Sequence, residues 1–443
     1  MTALNLSKVK FTNQSNVVNP DRAIFNPQYS YVDTLRGNDK IIGSSHLTAD
    51  FAFGAFIDIE SKRPNRSASI DLRGKASVAT YGIKNEGIIN TNNGDDIIRG
   101  TATANISATA VAVSQVIAIA QKRNASAIAK TFASLNIKAT ADGIDNSGGA
   151  IFTGSGNDSV TGNTEGAVSA VAIAIADASA IVEAICKAPM SEGLTAFAGA
   201  IAESLAKATI TATGINNHQG IINTGIDKDT ISASATSSAG TFTSTDSSTF
   251  ATATPENQAL ARAVARASAL AFDKAIAINN TQGYIRTGTQ GDTIQATASA
   301  SDLAIAINNN KGYIHTGMGN DTINAQATGS ESYGIFGGTI DTGDGADEII
   351  ASSFGGGVNI DMGDGEDFVQ GFGNARVDGG KGCDTFDLGA YNREDFQISF
   401  GVNSVNNIVI FQLDKITMIT TGFEQFNFAN NSVSLAYNEL LPT

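Results

Sequence analysis

Three segments near the end of the chain alternate glycine with aspartate and then pass into a short apolar run. They read DTGDGADEII from Asp341, DMGDGEDFV from Asp361 and DGGKGCDTFDLG from Asp378. Glycine permits the backbone angles of tight turns, and such turns direct carbonyl and carboxylate oxygens inward. Oxygen-rich turns suit a hard cation, and Ca²⁺ takes several such ligands at once. The segments therefore predict cation-binding turns, each followed by a strand.

The same turn recurs through much of the chain. Five segments contain a turn with Asn and Gly, a short strand, a second turn ending in Asp, and the start of another strand: GIKNEGIINTNNGDDII from Gly82, GIDNSGGAIFTGSGNDSV from Gly143, GINNHQGIINTGIDKDTI from Gly214, AINNTQGYIRTGTQGDTI from Ala277 and AINNNKGYIHTGMGNDTI from Ala306. The terminal aspartates are Asp39, Asp96, Asp158, Asp229, Asp292, Asp321, Asp347, Asp367 and Asp384. Their separations rise from 57 to 71 residues and then fall to 17. A constant turn with inserts of changing length indicates a solenoid whose rungs differ in length.

Alanine indicates the structure of the long inserts. It occupies every second position from Ala170 to Ala180, from Ala196 to Ala202 and from Ala259 to Ala271. A spacing of two is the periodicity of strands. We therefore expect two long strands per rung, folded face to face around a thin alanine-lined core and stacked in parallel on the next rung. Helix is the alternative, because runs such as AIAESLAKA have high helix propensity.

The positions opposite the alanines are expected to face outward. They carry the charged residues Lys130, Lys138, Glu183, Lys187, Glu203, Lys207, Arg262 and Arg266. They also carry apolar residues, namely Val111, Val113, Ile117, Ile119, Val171, Ile173, Ile175, Phe197, Ile201, Leu205, Leu260 and Leu270. Exposed apolar stripes on a flat sheet indicate association with another copy or a surface, and cover by loops is the alternative.

Both ends of the repeat are expected to be capped. Larger residues stand at inward positions of the first rung: Leu47, Phe51, Phe53, Ile57, Ile59, Ile70 and Leu72. The aromatic runs FQISF, NIVIFQL, KITMIT and FEQFNF follow the last turn and predict a C-terminal β cap. The predicted domains are residues 1–46 as an N-terminal cap, 47–330 as an alanine-rich long-rung solenoid, 331–389 as a calcium-binding β-roll, and 390–443 as a β cap with a possible secretion signal.

Composition narrows the choice of partners and compartment. The 443 residues carry a formal net charge of −15, which disfavours nucleic acid and anionic membranes as partners. Cys186 and Cys383 match no zinc or redox spacing. The start, MTALNLSKVKF, lacks the apolar core of a cleavable signal peptide, and the apolar window from Ala167 alternates and stops at Asp177, so we expect no transmembrane segment.

The last three turns resemble the haemolysin-type, or RTX, calcium-binding repeat G-G-x-G-x-D-x-U-x, in which U is apolar. The resemblance is close at TGDGADEII, MGDGEDFVQ and GGKGCDTFD, fair at TGMGNDTIN and TGSGNDSVT, and poor at TGIDKDTIS and TNNGDDIIR. It implies an all-β, right-handed parallel β-roll with Ca²⁺ as cofactor between successive turns. It also implies extracellular or cell-surface location after type I secretion without an N-terminal signal. For the earlier rungs, uncharged turns that bind no metal are the alternative.

Carried onto this sequence, the resemblance implies Asp347, Asp367 and Asp384 as side-chain ligands. The turn-shaping glycines it implies are Gly343, Gly345, Gly363, Gly365, Gly380 and Gly382. Further candidate metal-binding residues are Asp341, Asp344, Asp361, Asp364, Asp378, Asn320, Asp321, Asp292, Asp158 and Asp96.

Three function classes remain open. The hypothesis we favour is a secreted, calcium-stabilised structural protein that assembles with itself into a surface layer, matrix fibre or filament. A calcium-dependent adhesin for carbohydrate or ice is the first alternative, because a row of threonines (Thr91, Thr153, Thr224, Thr287, Thr316 and Thr342) recurs in register and cell-surface polysaccharide is a conceivable partner. A polysaccharide-modifying enzyme is the second, but His46, His218 and His315 occupy different repeat positions. We therefore expect no catalytic site.

Overall fold

The chain folds as a stack of parallel strands. The computed structural model describes residues 2–63, 65–121, 124–183, 195–252, 258–401, 407–429 and 434–441. The first strands are β1 (Leu4–Asn5), β2 (Val17–Val18), β3 (Ile24–Asn26), β4 (Tyr31–Asp33), β5 (Lys40–Ser61), β6 (Asn65–Asn85), β7 (Ile88–Asn90), β8 (Ile97–Gln121), β9 (Ala125–Asp145) and β10 (Ala150–Phe152). They continue with β11 (Ser159–Glu183), β12 (Thr195–Asn216), β13 (Ile221–Asn223), β14 (Thr230–Thr252), β15 (Gln258–Asn279), β16 (Tyr284–Thr289), β17 (Thr293–Ser299) and β18 (Leu303–Asn308).

The C-terminal third has shorter strands. They are β19 (Tyr313–Met318), β20 (Thr322–Thr328), β21 (Glu331–Phe336), β22 (Thr339–Asp344), β23 (Glu348–Ala351), β24 (Phe354–Asp361), β25 (Phe368–Gln370), β26 (Gly373–Asp378), β27 (Asp384–Asp387), β28 (Gln397–Phe400), β29 (Val409–Leu413), β30 (Ile416–Thr421), β31 (Phe423–Asn427) and β32 (Leu435–Ala436). The described residues also include short helices at Arg393–Asp395 and Tyr437–Leu440, and another at Leu6–Lys8 near the N-terminus. In the described part of the chain, no helix has the length and apolarity needed to cross a membrane.

Successive rungs pair in parallel and form two facing sheets. One sheet contains β5, β8, β11 and β14, followed by β17, β20, β23, β25 and β27; we term it the forward sheet. The other contains the returning strands β6, β9, β12 and β15, and then β18, β21 and β24; we term it the return sheet. The short strands β7, β10, β13, β16, β19 and β22 lie between the Asn turn and the Asp turn of each rung. The prediction of an all-β parallel solenoid is confirmed.

The long inserts are strands, so the helical alternative is wrong. Ala170, Ala172 and Ala174 of β11 and Ala198 and Ala200 of β12 are all fully buried. Methyl groups from both sheets fill the space between them, because spacing by two puts every alanine on the inner side. Lys130, Lys138, Glu203, Lys207, Arg262 and Arg266 project outward as predicted. Lys187, Cys186 and the side chain of Glu183 lie outside the described residues, while Cys383 is an exposed free thiol.

The long rungs extend past the short ones and form a two-sheet projection, which we term the blade. In the forward sheet, β17 pairs with β14 only over Thr230–Thr236. In the return sheet, β18 pairs with β15 only over Lys274–Asn279. The remaining parts of β14 and β15 therefore form the C-terminal end of the blade. Its other end is formed by β5 and β6, which pair with β8 and β9.

The two ends of the blade differ in side-chain size. At the N-terminal end, Phe51, Phe53, Ile57 and Ile59 pack against the alanine core, which confirms the predicted plug. At the C-terminal end, the inward-facing alanines from Ala259 to Ala269 are exposed. Burial of apolar area there is incomplete because no further long rung follows β15.

The edge that carries the turns has its own core. Stacked isoleucines such as Ile89, Ile151 and Ile222 are fully buried within it. At the C-terminal end, β28, β29 and β30 form an antiparallel unit, and β30 and β31 pair in parallel with β26 and β27. Aromatic rings fill this end, including Phe396 and Phe411 with centroids 5.5 Å apart. The predicted C-terminal β cap is confirmed.

Candidate functional site

The terminal aspartates of the rungs form one buried column. Asp39, Asp96, Asp158, Asp229, Asp292, Asp321, Asp347, Asp367 and Asp384 are all at most 2% exposed. From Asp96 onward, the Oδ1 atom of each accepts a hydrogen bond from the backbone amide of the preceding aspartate, at 2.7 to 2.9 Å. The column ends on Asn16, whose amide donates to Asp39, and on Glu424, which accepts the Asp384 amide. Each carboxylate thus ties two rungs together.

The second oxygen of these carboxylates makes no well-formed hydrogen bond, although from Asp96 to Asp347 the threonine hydroxyl of the same rung lies close enough to oppose part of the pKa rise that burial causes. The atoms concerned are Oδ2 of Asp96, Asp158, Asp229, Asp292, Asp321, Asp347, Asp367 and Asp384. Burial raises the pKa of Asp96, Asp229, Asp292 and Asp384 to about 6, and that of Asp158, Asp321 and Asp367 to about 7. The edge therefore holds a row of anionic oxygens whose charge the protein only partly compensates.

The threonine row accompanies this column inside the protein. Thr91, Thr153, Thr224, Thr287, Thr316 and Thr342 are at most 1% exposed. Each hydroxyl donates to a main-chain carbonyl of the following rung, at 2.7 to 3.4 Å. The Thr34 hydroxyl lies within hydrogen-bond distance of both the Thr91 carbonyl and the Oδ2 atom of Asp39. The threonines are therefore inter-rung ties, and the idea that this row forms a binding surface for ice or carbohydrate is wrong.

A second set of aspartates faces outward. Asp341, Asp361 and Asp378 lie in register on β22, β24 and β26. Tyr313 donates its hydroxyl to Asp341 Oδ2 at 2.6 Å, and His315 Nδ1 lies 3.3 Å from the same atom. Burial and the charges of Asp341 and Asp378 raise the pKa of Asp361. Stacked carboxylates on adjacent strands repel one another and favour a bound cation.

The tips of the turns carry the remaining charged candidates. Isolated parallel β-bridges join the backbone of Asp344 to that of Asp364, and the backbone of Asp364 to that of Lys381. The Lys381 ammonium contacts both carboxylate oxygens of Asp364, at 2.8 and 2.9 Å. Asn320 Oδ1 accepts the Ala346 amide at 3.0 Å. Lys381 therefore already supplies a cation to one of the predicted metal-binding aspartates.

The close stacking of successive turns is sufficient to explain why the last three turns need glycine. Gly343, Gly363 and Gly380 have positive φ angles of 97°, 92° and 84°, and a Cβ atom on any of them would lie 1.8 Å from a carbonyl oxygen of the preceding rung. A Cβ on Gly345, Gly365 or Gly382 would lie 1.5 to 1.8 Å from such an oxygen. Only glycine allows the turns to approach this closely.

The donor set can be compared with what Ca²⁺ requires. The Gly343 and Gly363 carbonyls already accept the Asp364 and Lys381 amides, at 3.1 and 2.9 Å. Among the described residues, no three His, Cys, Asp or Glu side chains converge into one metal-binding group. A cation at this edge would thus use one carboxylate oxygen per rung together with main-chain and hydroxyl oxygens. Ca²⁺ accepts such mixed oxygen ligands, and the unpartnered Oδ2 atoms fit it.

One feature of the edge was not predicted. Buried asparagines in successive Asn turns form a ladder in which each Nδ2 donates to the Oδ1 of the next, at 2.7 to 2.8 Å. The members are Asn26, Asn85, Asn146, Asn217, Asn280 and Asn309, all fully buried. The sequence signal was available, since Asn occupies the same place in all five repeat segments. Such amide ladders align stacked strands.

The three histidines lie on different parts of the molecule. His46 is on the outer side of β5, His218 is in an Asn turn, and His315 is on β19.

Comparison with known proteins adds no relative: no protein-family model, curated protein or solved structure matches the chain.

Proposed function

We propose that this protein is an extracellular structural solenoid whose copies assemble into a layer, fibre or filament. Ca²⁺ stabilises it along the edge that carries the glycine-aspartate turns, which we term the Gly-Asp edge. The observation that carries the calcium part is the row of buried aspartate Oδ2 atoms without partners. A buried anion without a partner destabilises the folded state, and a bound cation removes that cost.

The residues that would hold Ca²⁺ belong mainly to the last three turns. Asp347, Asp367 and Asp384 would contribute their free Oδ2 atoms, and the turns around Gly343, Gly363 and Gly380 would contribute main-chain oxygens. When bound, the ion would supply positive charge between neighbouring rungs. The resemblance of these turns to the RTX repeat supports the same choice of metal. In the earlier rungs Asp96, Asp158, Asp229, Asp292 and Asp321 present the same oxygen, and there the threonine hydroxyl of each rung partly stabilises the ionised carboxylate.

The structural part rests on the shape of the molecule. The blade offers two wide, flat outer faces and a narrow interior filled by alanine. The predicted secretion fits this role, because calcium is abundant outside cells and the carboxylates repel one another in its absence.

Calcium titration of the full chain tests the proposal. We expect Ca²⁺ to raise the melting temperature followed by circular dichroism, with about 3 kcal/mol of stabilisation per site at a hundredfold excess over Kd. Mg²⁺ at matched ionic strength is the control, since it demands a stricter octahedral geometry. Equal melting curves in calcium and in chelator would refute the calcium part, and a monomer at all concentrations would refute the assembly part.

A carbohydrate-binding adhesin is the second candidate. It is favoured by an outward aromatic column in which Tyr284 and Tyr313 stack with centroids 5.6 Å apart, beside His315 and Asp341. Aromatic faces next to carboxylates suit sugar rings. A glycan array probed with the wild type and with Tyr313→Ala tests it: binding that is lost in the variant supports the adhesin, and no bound glycan contradicts it.

A further inference from the structure

The outer faces of the blade carry opposite charge. We propose that copies of this chain stack blade on blade, with the outer face of the return sheet of one copy against the outer face of the forward sheet of the next. This inference deepens the structural role proposed above and rests on it. It names the surface and the partner, which is a second copy of the same chain.

The outer face of the return sheet is basic. Its basic residues are Arg73, Lys75, Lys130, Lys138, Lys207, Arg262 and Arg266. Within the described part of this face, the acidic residues are Asp71, Glu203 and the half-buried Asp142 at the base of β9. Asp71 is already paired with Arg73 at 2.9 Å and Glu203 with Arg266 at 3.2 Å. The lysines and Arg262 therefore give this face a positive surplus, although the whole chain is strongly acidic.

The outer face of the forward sheet is acidic. Its acidic residues are Asp50, Asp58, Glu60, Glu165, Asp177 and Asp246. On the described strands of this face, the one arginine or lysine beyond the turn edge is Arg99, which lies at the base of β8. The two faces thus have complementary charge and belong to the same rungs, so their dimensions match.

Each face also carries exposed apolar side chains on its C-terminal strand. On the forward sheet, Phe242 and Phe250 are 58% and 60% exposed. On the return sheet, Leu260 and Leu270 are 60% and 53% exposed. Exposed apolar side chains surrounded by complementary charge are the composition of a protein–protein interface. The sequence predicted Leu260 and Leu270 at outward positions, and the structure adds Phe242 and Phe250 on the opposite surface.

The area of a face is sufficient for a stable contact. Four strands about 4.8 Å apart, each about 16 residues long at about 3.3 Å per residue, give about 1,000 Å² per face. That exceeds the roughly 800 Å² per partner of a standard interface. Because the two faces lie on opposite sides of the blade, the contact is heterologous and continues from copy to copy. A polyanion would match only the basic face, whereas a second copy matches both.

Charge reversal tests the contact. We would compare Arg262→Glu/Arg266→Glu, which reverses two charges on the basic face, with Asp177→Lys/Asp246→Lys, which reverses two charges on the acidic face. Sedimentation velocity in calcium is measured for each variant alone and for an equimolar mixture. Each variant alone is expected to associate at least about a hundredfold more weakly than the wild type, because attractive pairs become repulsive. The mixture is expected to assemble as the wild type does, since each variant now complements the other.

Controls separate this contact from general effects of charge and from the calcium hypothesis. Lys311→Glu/Lys415→Glu makes the same charge change on exposed residues away from the blade and is expected to assemble normally. Circular dichroism in calcium and in chelator checks the folding of every variant, so loss of calcium-dependent folding is distinguished from loss of stacking. If one pair of substitutions unfolds the chain, Lys130→Glu/Lys138→Glu and Asp50→Lys/Asp58→Lys repeat the test on the same faces.

The results that would overturn the proposal are equally definite. The proposal would be overturned if the wild type stays monomeric in 50 mM salt. It would also be overturned if either charge-reversed variant assembles alone, or if the mixture of the two variants stays monomeric. A monomeric wild type that captures dextran sulfate on its basic face would assign that face to an anionic polymer instead.

Discussion

Replacement of Asp367 by asparagine would report the charge state of the Gly-Asp edge. Asp367 Oδ1 accepts the Asp347 amide at 2.7 Å, and the Asp367 amide donates to Asp384 Oδ1 at 2.9 Å. Asparagine retains the Oδ1 acceptor and replaces the unpartnered Oδ2 atom with an NH₂ group. The substitution therefore removes a buried negative charge while keeping the hydrogen bond that joins the rungs.

The expected sign depends on calcium. Burial raises the pKa of Asp367 to about 7, so at pH 8 without calcium the carboxylate is mostly ionised at a free-energy cost. Removal of an unsatisfied buried group of this kind is expected to raise the free energy of unfolding by about 1 to 3 kcal/mol. In saturating calcium the same substitution removes a proposed ligand, and we expect a loss of about 3 kcal/mol.

The assay is urea unfolding at pH 8, in chelator and in calcium, with Asp414→Asn as the matched control. Asp414 is exposed in the turn between β29 and β30, so its substitution is expected to change stability by less than about 0.5 kcal/mol in either condition. Stabilisation of Asp367→Asn in both conditions would mean that Asp367 binds no calcium. Destabilisation in chelator at pH 8 would mean that the ionised carboxylate is not a cost to the folded state, which would refute the reasoning.

Three further outcomes follow from the edge. Without calcium, the stability of the wild type is expected to fall as the pH rises from about 4 to about 7. The pKa values of the column aspartates in the folded state lie above the unfolded value of 3.8, so the folded chain binds more protons than the unfolded chain in that window. Thermal melts at pH 4.5 and pH 8 measure this change, and higher stability at pH 8 would contradict it. Gly363→Ala is expected to destabilise the chain by more than about 3 kcal/mol, because its Cβ would lie 1.8 Å from the Gly343 oxygen, whereas Gly240→Ala, with open space around it, is expected to change little in the same urea assay. Asn217→Ala is expected to cost about 2 to 4 kcal/mol, because it removes one hydrogen bond from the buried asparagine of each neighbouring rung. A loss below about 1 kcal/mol in urea unfolding would show that the ladder does not contribute to stability.

The sequence contained enough to predict the architecture. Alanine at every second position has the periodicity of one face of a strand, so the blade and its dry core followed from periodicity, although alanine's high helix propensity left a helix as the alternative. The recurrence of Asp96, Asp158 and Asp229 likewise predicted that these residues share one edge. Both inferences depend only on local pattern and on stacking, and the structure confirms them.

The details of the edge and the faces required coordinates. The sequence cannot reveal that Asp367 Oδ1 is bonded to a neighbouring amide while Oδ2 is free, because this depends on the offset between rungs. It also cannot show that Lys130 and Asp177 face outward on opposite surfaces of the blade, because this requires each strand to be assigned to one of the two sheets. The asparagine ladder was visible as a pattern, but only the buried position of Asn217 gives it a structural role.

The ties that align the rungs lie mainly at the two turns, where each rung contributes the same few residues whatever its length. Aspartates separated by 71 residues and by 17 residues make the same hydrogen bond. Insertions in the two strands of a rung therefore leave the alignment unchanged, provided that each strand changes by an even number of residues so that alanine still faces inward. The breadth of the molecule and the chemistry of its edge can thus change independently, both in evolution and in protein design.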